Sequence, residues 1–393
     1  MPDRNRASRP SGGRNPTGRT WGRVSDPVTG WVVTATIRAI GTAVPDTTLD
    51  QAAVRDLFAG QPDLGRLGKR VVPAAFDASA VDHRHTVIEE LDATRPGGLF
   101  REDSGVLVSP STGTRNDRYR DLAPALFVAA ARDAVERAGI EPARVTHLVT
   151  VSCTGFTQPG PDIDVVDQLG LPAGVFRHHI GFMGCCAAFP ALRIAAAFAE
   201  ADPDAVVLVV CAELCTLHVR ASDDPDQIVA NSVFGDGAAA VVVTAGGPGL
   251  RIERFATATV AEGASEMAWN IGDEGFAMVL STAVPKLVGI HVPTAVRSLL
   301  GEGETFADVP VWAVHPGGRA IVDRTQDALD LPDTAVASSR AVLRDHGNMS
   351  SATVLFVLQD AVGRGLADGT PVAAVAFGPG LTVESARLTA VEA

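Results

Sequence analysis

Six short runs rich in β-branched and small apolar residues punctuate the chain: Val32 to Ile40, Val145 to Val151, Ala205 to Cys211, Ala238 to Val243, Val309 to Val314 and Val372 to Phe377. Alanine-rich stretches of helical character alternate with them. Nearly continuous apolar runs of this length read as strands buried on both faces, and such strands need helices to cover them. The alternation predicts an α/β chain of parallel or mixed sheets flanked by helices. With 393 residues there is room for two fused half-domains, each with its own core. Two stretches repeat one theme of strand, turn with a reactive residue, and helix. The first joins Val145 to Val151, Cys185 and a helix from Ala187 to Glu200; the second joins Val309 to Val314, His315 and a later helix opening at Asn348. Between them, Gly246-Gly247-Pro248-Gly249 breaks any continuing element and divides the chain into two pseudo-duplicated halves, 31–247 and 248–393. Residues 1–30 are polar, basic and rich in Pro and Gly, and are expected to form a disordered tail outside the fold.

The formal net charge of -13 argues against nucleic acid and anionic membranes, which need clustered Lys and Arg, so any phosphate must meet a local basic patch. No run of 18 uncharged apolar residues appears and the N-terminal segment has no apolar signal core, which predicts neither a membrane span nor export. The five cysteines are odd in number and lack C-x-x-C spacing. They fit neither a disulfide framework nor a metal site, and a reducing cytoplasm would keep a reactive thiol free.

Three segments carry chemistry. In Gly181-Phe182-Met183-Gly184-Cys185-Cys186-Ala187, a glycine precedes a cysteine that opens an alanine-rich helix, where free N–H groups and the positive dipole end favour thiolate over thiol. In Trp312-Ala313-Val314-His315-Pro316-Gly317-Gly318, an apolar strand delivers a histidine into a glycine turn that a ligand can approach. In Gly347-Asn348-Met349-Ser350-Ser351, an amide stands at the start of an apolar helix. Each alone has an ordinary structural reading, as a packed cysteine pair, a turn histidine and a helix cap. Together they supply what decarboxylative acyl transfer requires: a thiolate, an imidazole to stabilise it, and donors for the oxyanion of an enolate.

These segments resemble those of the type III polyketide synthases, the chalcone and stilbene synthase family, bacterial members included. The resemblance spans most of the chain after residue 30. It includes Ser152-Cys153-Thr154-Gly155-Phe156 with Pro159-Gly160, Phe234-Gly235-Asp236-Gly237-Ala238-Ala239, and Phe377-Gly378-Pro379-Gly380-Leu381-Thr382-Val383-Glu384. It implies a homodimeric, thiolase-like αβαβα layered fold and a Cys-His-Asn triad at Cys185, His315 and Asn348. It further implies a gatekeeper aromatic at Phe234 and a cavity-shaping loop at Gly378, Pro379 and Gly380. The activity implied is decarboxylative condensation of malonyl-CoA onto an acyl-CoA starter, then cyclisation to an aromatic or pyrone product, with CoA thioesters as substrates and no separate cofactor or metal.

The departures from the plant pattern bear on the cavity. Met278 stands where plant members carry a second gatekeeper Phe, and a softer, narrower side chain suits a longer acyl group. Cys153 stands in place of Thr, with two readings open, a chemical role or a small residue filling a packed wall. Gln158 replaces a Met that crosses the dimer interface. Cys186 is expected to point away from Cys185 and pack, Cys215 to line the cavity or fill core, and Arg84 to contact CoA phosphate. Competing readings are a ketoacyl-carrier-protein synthase III-like enzyme, whose acidic partner would need a basic patch that this chain does not advertise, and a cysteine-dependent thioesterase or hydrolase.

Overall fold

The structure is a computed structural model that describes residues 31–32 and 34–392; the tail expected over residues 1–30 lies outside the described residues. Its strands are β1 (Trp31–Val32), β2 (Thr36–Ala43), β3 (Thr47–Asp50), β4 (His83–Thr86), β5 (His147–Ser152), β6 (Phe176–Gly181), β7 (Val207–Leu214), β8 (Asp236–Thr244), β9 (Gly249–Thr259), β10 (Met267–Gly272), β11 (Gly275–Leu280), β12 (Val311–Val314), β13 (Pro371–Gly378) and β14 (Thr382–Val391). The helices are α1 (Gln51–Ala59), α2 (Arg66–Ala78), α3 (Thr112–Ala138), α4 (Pro161–Leu169), α5 (Ala188–Ala201), α6 (Pro225–Val233), α7 (Val284–Val296), α8 (Arg319–Leu329), α9 (Ala337–His346) and α10 (Thr353–Gly363).

One continuous path, β12-β13-β14-β9-β2-β8-β7-β5-β6, runs through both halves, which join where β2 pairs with β9. β5 lies parallel to β6 and β7, and β12 parallel to β13. Strands such as β7 and β8 are buried along almost their whole length, as their unbroken Val and Ala content requires. Three apolar clusters separate the layers. α3 covers one face of the first half, with Tyr119 and Phe127 against Leu208 and Val242. α7 and α8 cover the outer face of the second, around Trp312 and Val375. Between the sheets, α5 and α10 share a middle cluster with strand residues of both halves. The layer order is α, β, α, β, α.

That middle layer explains two sequence features. A helix held between two sheets presents no solvent face, so α10 reads TVLFVLQDAVG, and the turn and helix from Gly184 to Ala201 reach a mean hydropathy of 1.3 over 18 residues. Its small alanines let the sheets approach closely. Both middle helices begin directly after reactive segments, α5 after Cys185 and α10 after Asn348.

All six expected runs contain strands, but the element feeding Cys185 is β6, not the Val145 to Val151 run. β6 reads Phe-Arg-His-His-Ile-Gly because it is an edge strand with Phe176 to His179 exposed, so it lacks the apolar signature of its neighbours. Above the ends of the strands, α1, α2 and α6 pack together and the β10–β11 hairpin rests on α6.

Candidate active site

Cys185 sits in a single 3-10 turn, Gly184–Cys186, between β6 and α5. Two contacts fix that turn against the loop after β13. Gly184 has φ +64, and a Cβ there would lie 2.5 Å from the Pro379 ring; a Cβ on Gly378 would lie 2.3 Å from the Cys186 sulfur. The Gly-Pro-Gly loop and the cysteine turn are therefore moulded to each other, and the glycines permit the approach. Gly184→Ala should cost about 2 kcal/mol or more from the left-handed backbone together with the collision. The expected result is a lower thermal midpoint and reduced turnover; an unchanged melting curve would contradict this packing.

His315 follows β12, its N–H donating to the Val375 carbonyl at 2.8 Å, and the residue is 1 % exposed. Neither ring nitrogen has a hydrogen-bond partner within the protein. Asn348 lies on the loop before α10. It is clamped to the end of α6 by its own N–H to Val233 O at 2.8 Å and by Gly235 N–H to Asn348 O at 3.0 Å. Its Oδ1 accepts from the Ser350 N–H at 2.8 Å and the Thr353 hydroxyl at 3.4 Å. That commitment assigns the amide orientation, turning Nδ2 as a donor toward Gly317 O at 3.4 Å and the Cys185 sulfur at 4.0 Å. Cys185, His315 and Asn348 line one cavity of about 340 Å³ together with Phe234, Met278 and Phe377.

Burial dominates the electrostatics here. It pushes the Cys185 thiol up to about 11, despite hydrogen bonds from Ser350 and Asn348, and pulls the His315 imidazole down to about 3. The helix end expected to favour the thiolate stands back from the sulfur, since α5 proper starts three residues later, and burial opposes the charge.

The remaining sequence-derived positions divide clearly. Phe234 and Cys215 share a small apolar cluster against which Cys185 and Met278 pack. Cys153, Cys215, Phe234, Met278 and Pro379 line a second, inner cavity behind Cys185. Cys153 Sγ lies 3.4 Å from the Ser350 hydroxyl. Cys186 points into the middle core, as expected from its helical offset. Arg84 is a correction. It is 2 % exposed, with Nη1 donating to the carbonyls of Asn231 and Phe234, so it braces the backbone of Phe234 and cannot meet a phosphate at the surface. Sequence reasoning also undervalued Glu213. This fully buried carboxylate on β7 accepts from the Cys153 N–H at 2.9 Å and from the hydroxyls of Ser351 at 2.5 Å and Thr154 at 3.0 Å. It holds the Cys153 wall, and its charge works against a Cys185 thiolate. Its signal was a lone acid inside an otherwise apolar strand. Trp269, which lines the inner cavity, was missed as well, although the Asp273-Glu274 turn places it across from Met278.

A layered α/β body whose two middle helices carry a cysteine and an asparagine to one histidine-lined cavity defines an acyl-transferring condensing enzyme. Models of the chalcone and stilbene synthase N-terminal and C-terminal domains match residues 29–247 and 254–392. The 3,5-dihydroxyphenylacetyl-CoA synthase of Streptomyces toyocaensis is 32% identical over 362 residues, covering 89% of this chain and 88% of that one. An alpha-pyrone synthesis polyketide synthase-like protein of Mycobacterium tuberculosis is 30% identical, covering 89% and 90%. Among solved structures, PKS-I from the brown alga Ectocarpus siliculosus superposes with a TM-score of 0.84 at 28% identity, over 92% of this chain and all of that one. The chain belongs to the chalcone and stilbene synthase family, the type III polyketide synthases, and its fold is thiolase-like. Neither the carrier-protein synthase nor the thioesterase reading is supported by these matches.

Proposed function

We propose that Cys185 carries the acyl starter while His315 and Asn348 bind the thioester oxygen of malonyl-CoA. The observation that carries this is the shared cavity, lined by the Cys185 sulfur, an imidazole with no protein hydrogen-bond partner and an amide of assigned orientation. In the loading step the Cys185 sulfur attacks the acyl carbonyl, its proton passes to His315, the bond from carbon to the CoA sulfur breaks, and the departing CoA thiolate is protonated. Malonyl-CoA then loses carbon dioxide, the enolate oxygen accepts hydrogen bonds from His315 and Asn348, and the enolate carbon displaces Cys185 from the starter. Repetition and ring closure give an aromatic or pyrone product. CoA thioesters are the substrates, with no further cofactor assigned.

We place the working halves at 31–247, with the nucleophile, and 248–393, with His315 and Asn348, in a cytoplasmic homodimer. The free edge of β6 and the exposed loop carrying Gln158 support the partner contact, since unpaired edge strands template association. Sedimentation of the purified protein tests the dimer. The reaction is tested by incubating purified protein with malonyl-CoA and a panel of acyl-CoA starters, reading carbon dioxide release and product masses. New carbon–carbon bonds formed without a carrier protein are expected; hydrolysis of acyl-CoA alone would refute the assignment.

A further inference from the structure

An acidic chain can hold phosphate only where cations gather locally, and three arginines gather where the two halves join. Arg38, Arg137 and Arg364 line a cavity of about 630 Å³ together with Gln359, Asp360 and the start of β9. None of the residues lining it borders the Cys185 cavity. It lies at the C-terminal end of α10, whose 11 residues rise about 16 Å from the end that follows Asn348.

Local structure delivers Arg38 to this place. The register between β2 and β8 slips between Ile37 and Ala39, so Arg38 is the extra residue of a β-bulge, which takes its side chain out of the regular alternation. The Gly246-Gly247-Pro248-Gly249 turn that separates the halves then receives it. Arg38 Nε–H donates to Pro248 O at 3.0 Å, and a Cβ on Gly247 would lie 2.6 Å from Arg38 Cζ. The other two arginines are held in the same manner. Arg137, in the last turn of α3, donates from Nε to Asp133 Oδ1 at 2.7 Å, and Arg364, just past α10, donates from Nε to Asp360 Oδ2 at 2.5 Å. Asp133 commits its second oxygen to the Thr42 N–H at 2.9 Å.

Each guanidinium is thus anchored through Nε, and among the described residues the Nη groups of all three have no hydrogen-bond partner. Anchoring at Nε fixes the plane of the group and leaves its terminal edge for an oxyanion, the geometry of bidentate phosphate recognition. Gln359 adds a donor, because its Oε1 accepts from the Thr42 hydroxyl at 3.3 Å and its Nε2 is left over. Asp360 is the single carboxylate among the lining residues, so the cavity carries excess positive charge in a chain of net charge -13. Ile40, Leu250 and Val362 supply apolar surface beside it.

We propose that this cleft binds the phosphate or pyrophosphate group of a small phosphorylated metabolite, at a site separate from the condensing one. Its volume falls in the usual range for small-molecule pockets and exceeds what an isolated phosphate needs. The proposal is independent of the reaction proposed above.

The test is calorimetric titration of the full chain with inorganic pyrophosphate, with adenosine diphosphate and with adenosine, at one ionic strength. Saturable binding of the two anions is expected, and none of adenosine. Equal affinity for both anions would assign recognition to the bare pyrophosphate group, and tighter adenosine diphosphate would assign it to a nucleotide resting on the apolar surface. Arg38→Ala should weaken binding at least about tenfold, the usual effect of losing a charged hydrogen-bond partner. Arg38→Lys should weaken it nearly as much, since an ammonium keeps the charge without the planar fork, and it serves if a melting curve shows the alanine variant unfolded. Absence of binding by either anion overturns the proposal. So does binding that Arg38→Ala, Arg137→Ala and Arg364→Ala all leave unchanged, because the anion would then sit elsewhere. Adenosine binding as tightly as its diphosphate overturns it too, since the phosphates would make no contact that matters.

Discussion

Cys185→Ala should abolish chain extension, lowering product formation by at least about a thousandfold, while malonyl-CoA continues to lose carbon dioxide. The two effects separate because the groups separate. In the proposed reaction the sulfur holds the starter as a thioester, whereas the enolate oxygen is met by His315 and Asn348, which reach the cavity from other elements. The Asn348 amide is oriented by the Ser350 N–H and the Thr353 hydroxyl, so removing the sulfur leaves its donor in place. The fold should tolerate the change, since alanine removes a single partly buried atom, at a cost of about 1 kcal/mol. Product mass spectrometry, trapped carbon dioxide and a melting curve on one preparation check all three statements. Product at the wild-type rate would remove Cys185 from its role, and loss of decarboxylation along with extension would mean that the sulfur also positions malonyl-CoA.

What was legible in the chain follows from where each residue finds its partners. Strands β5, β7, β8, β12 and β13 announced themselves because burial on both faces favours nearly continuous apolar residues, and the half-buried β2 lay within the first apolar run. β6 did not, since one side of an edge strand meets solvent and its Arg177, His178 and His179 look like loop. β14 was equally concealed by charge. Its Glu384 is buried yet pairs with Arg193 from α5, 191 positions away, and accepts from Thr257 on β9. The site behaved likewise. Cys185, His315 and Asn348 were readable because each sits at a strand or helix end beside glycines, a local pattern. Arg84 was misplaced because an isolated arginine normally reads as surface, and only the carbonyls at the end of α6, about 150 residues on, draw it inward. Trp269 was not legible for a related reason: its place in the inner cavity wall comes from the packing of a hairpin against the other half, where it donates to the Cys153 carbonyl. Chemistry-bearing residues thus showed in sequence, and the shape around them did not.

His315→Gln should lower the rate of malonyl-CoA decarboxylation by a factor of about 100 to 1,000, the usual cost of one oxyanion donor. It should also silence the thiol at neutral pH, and this second effect tests the electrostatics of the cavity. Burial holds the Cys185 thiol near 11 and the imidazole near 3, so neither ionises alone at pH 7. In the reaction proposed above, proton transfer from sulfur to His315 in the wild type would create two opposite charges that offset each other's desolvation. Gln cannot accept that proton. The thiol then titrates unaided, with a thiolate fraction of about 1 in 10,000 at pH 7 that rises only as pH climbs toward 11. Iodoacetamide labelling of Cys185, followed against pH, should accordingly be fast at neutral pH in the wild type and slow in the variant, with the variant's curve displaced to higher pH. Asn348→Ala provides the contrast, because it removes an oxyanion donor without removing the proton acceptor: decarboxylation should fall by a similar factor while the labelling curve stays close to that of the wild type. Coincident curves for wild type and His315→Gln would show that the imidazole does not take the sulfur's proton, and the source of the nucleophile would then have to be sought in the turn itself.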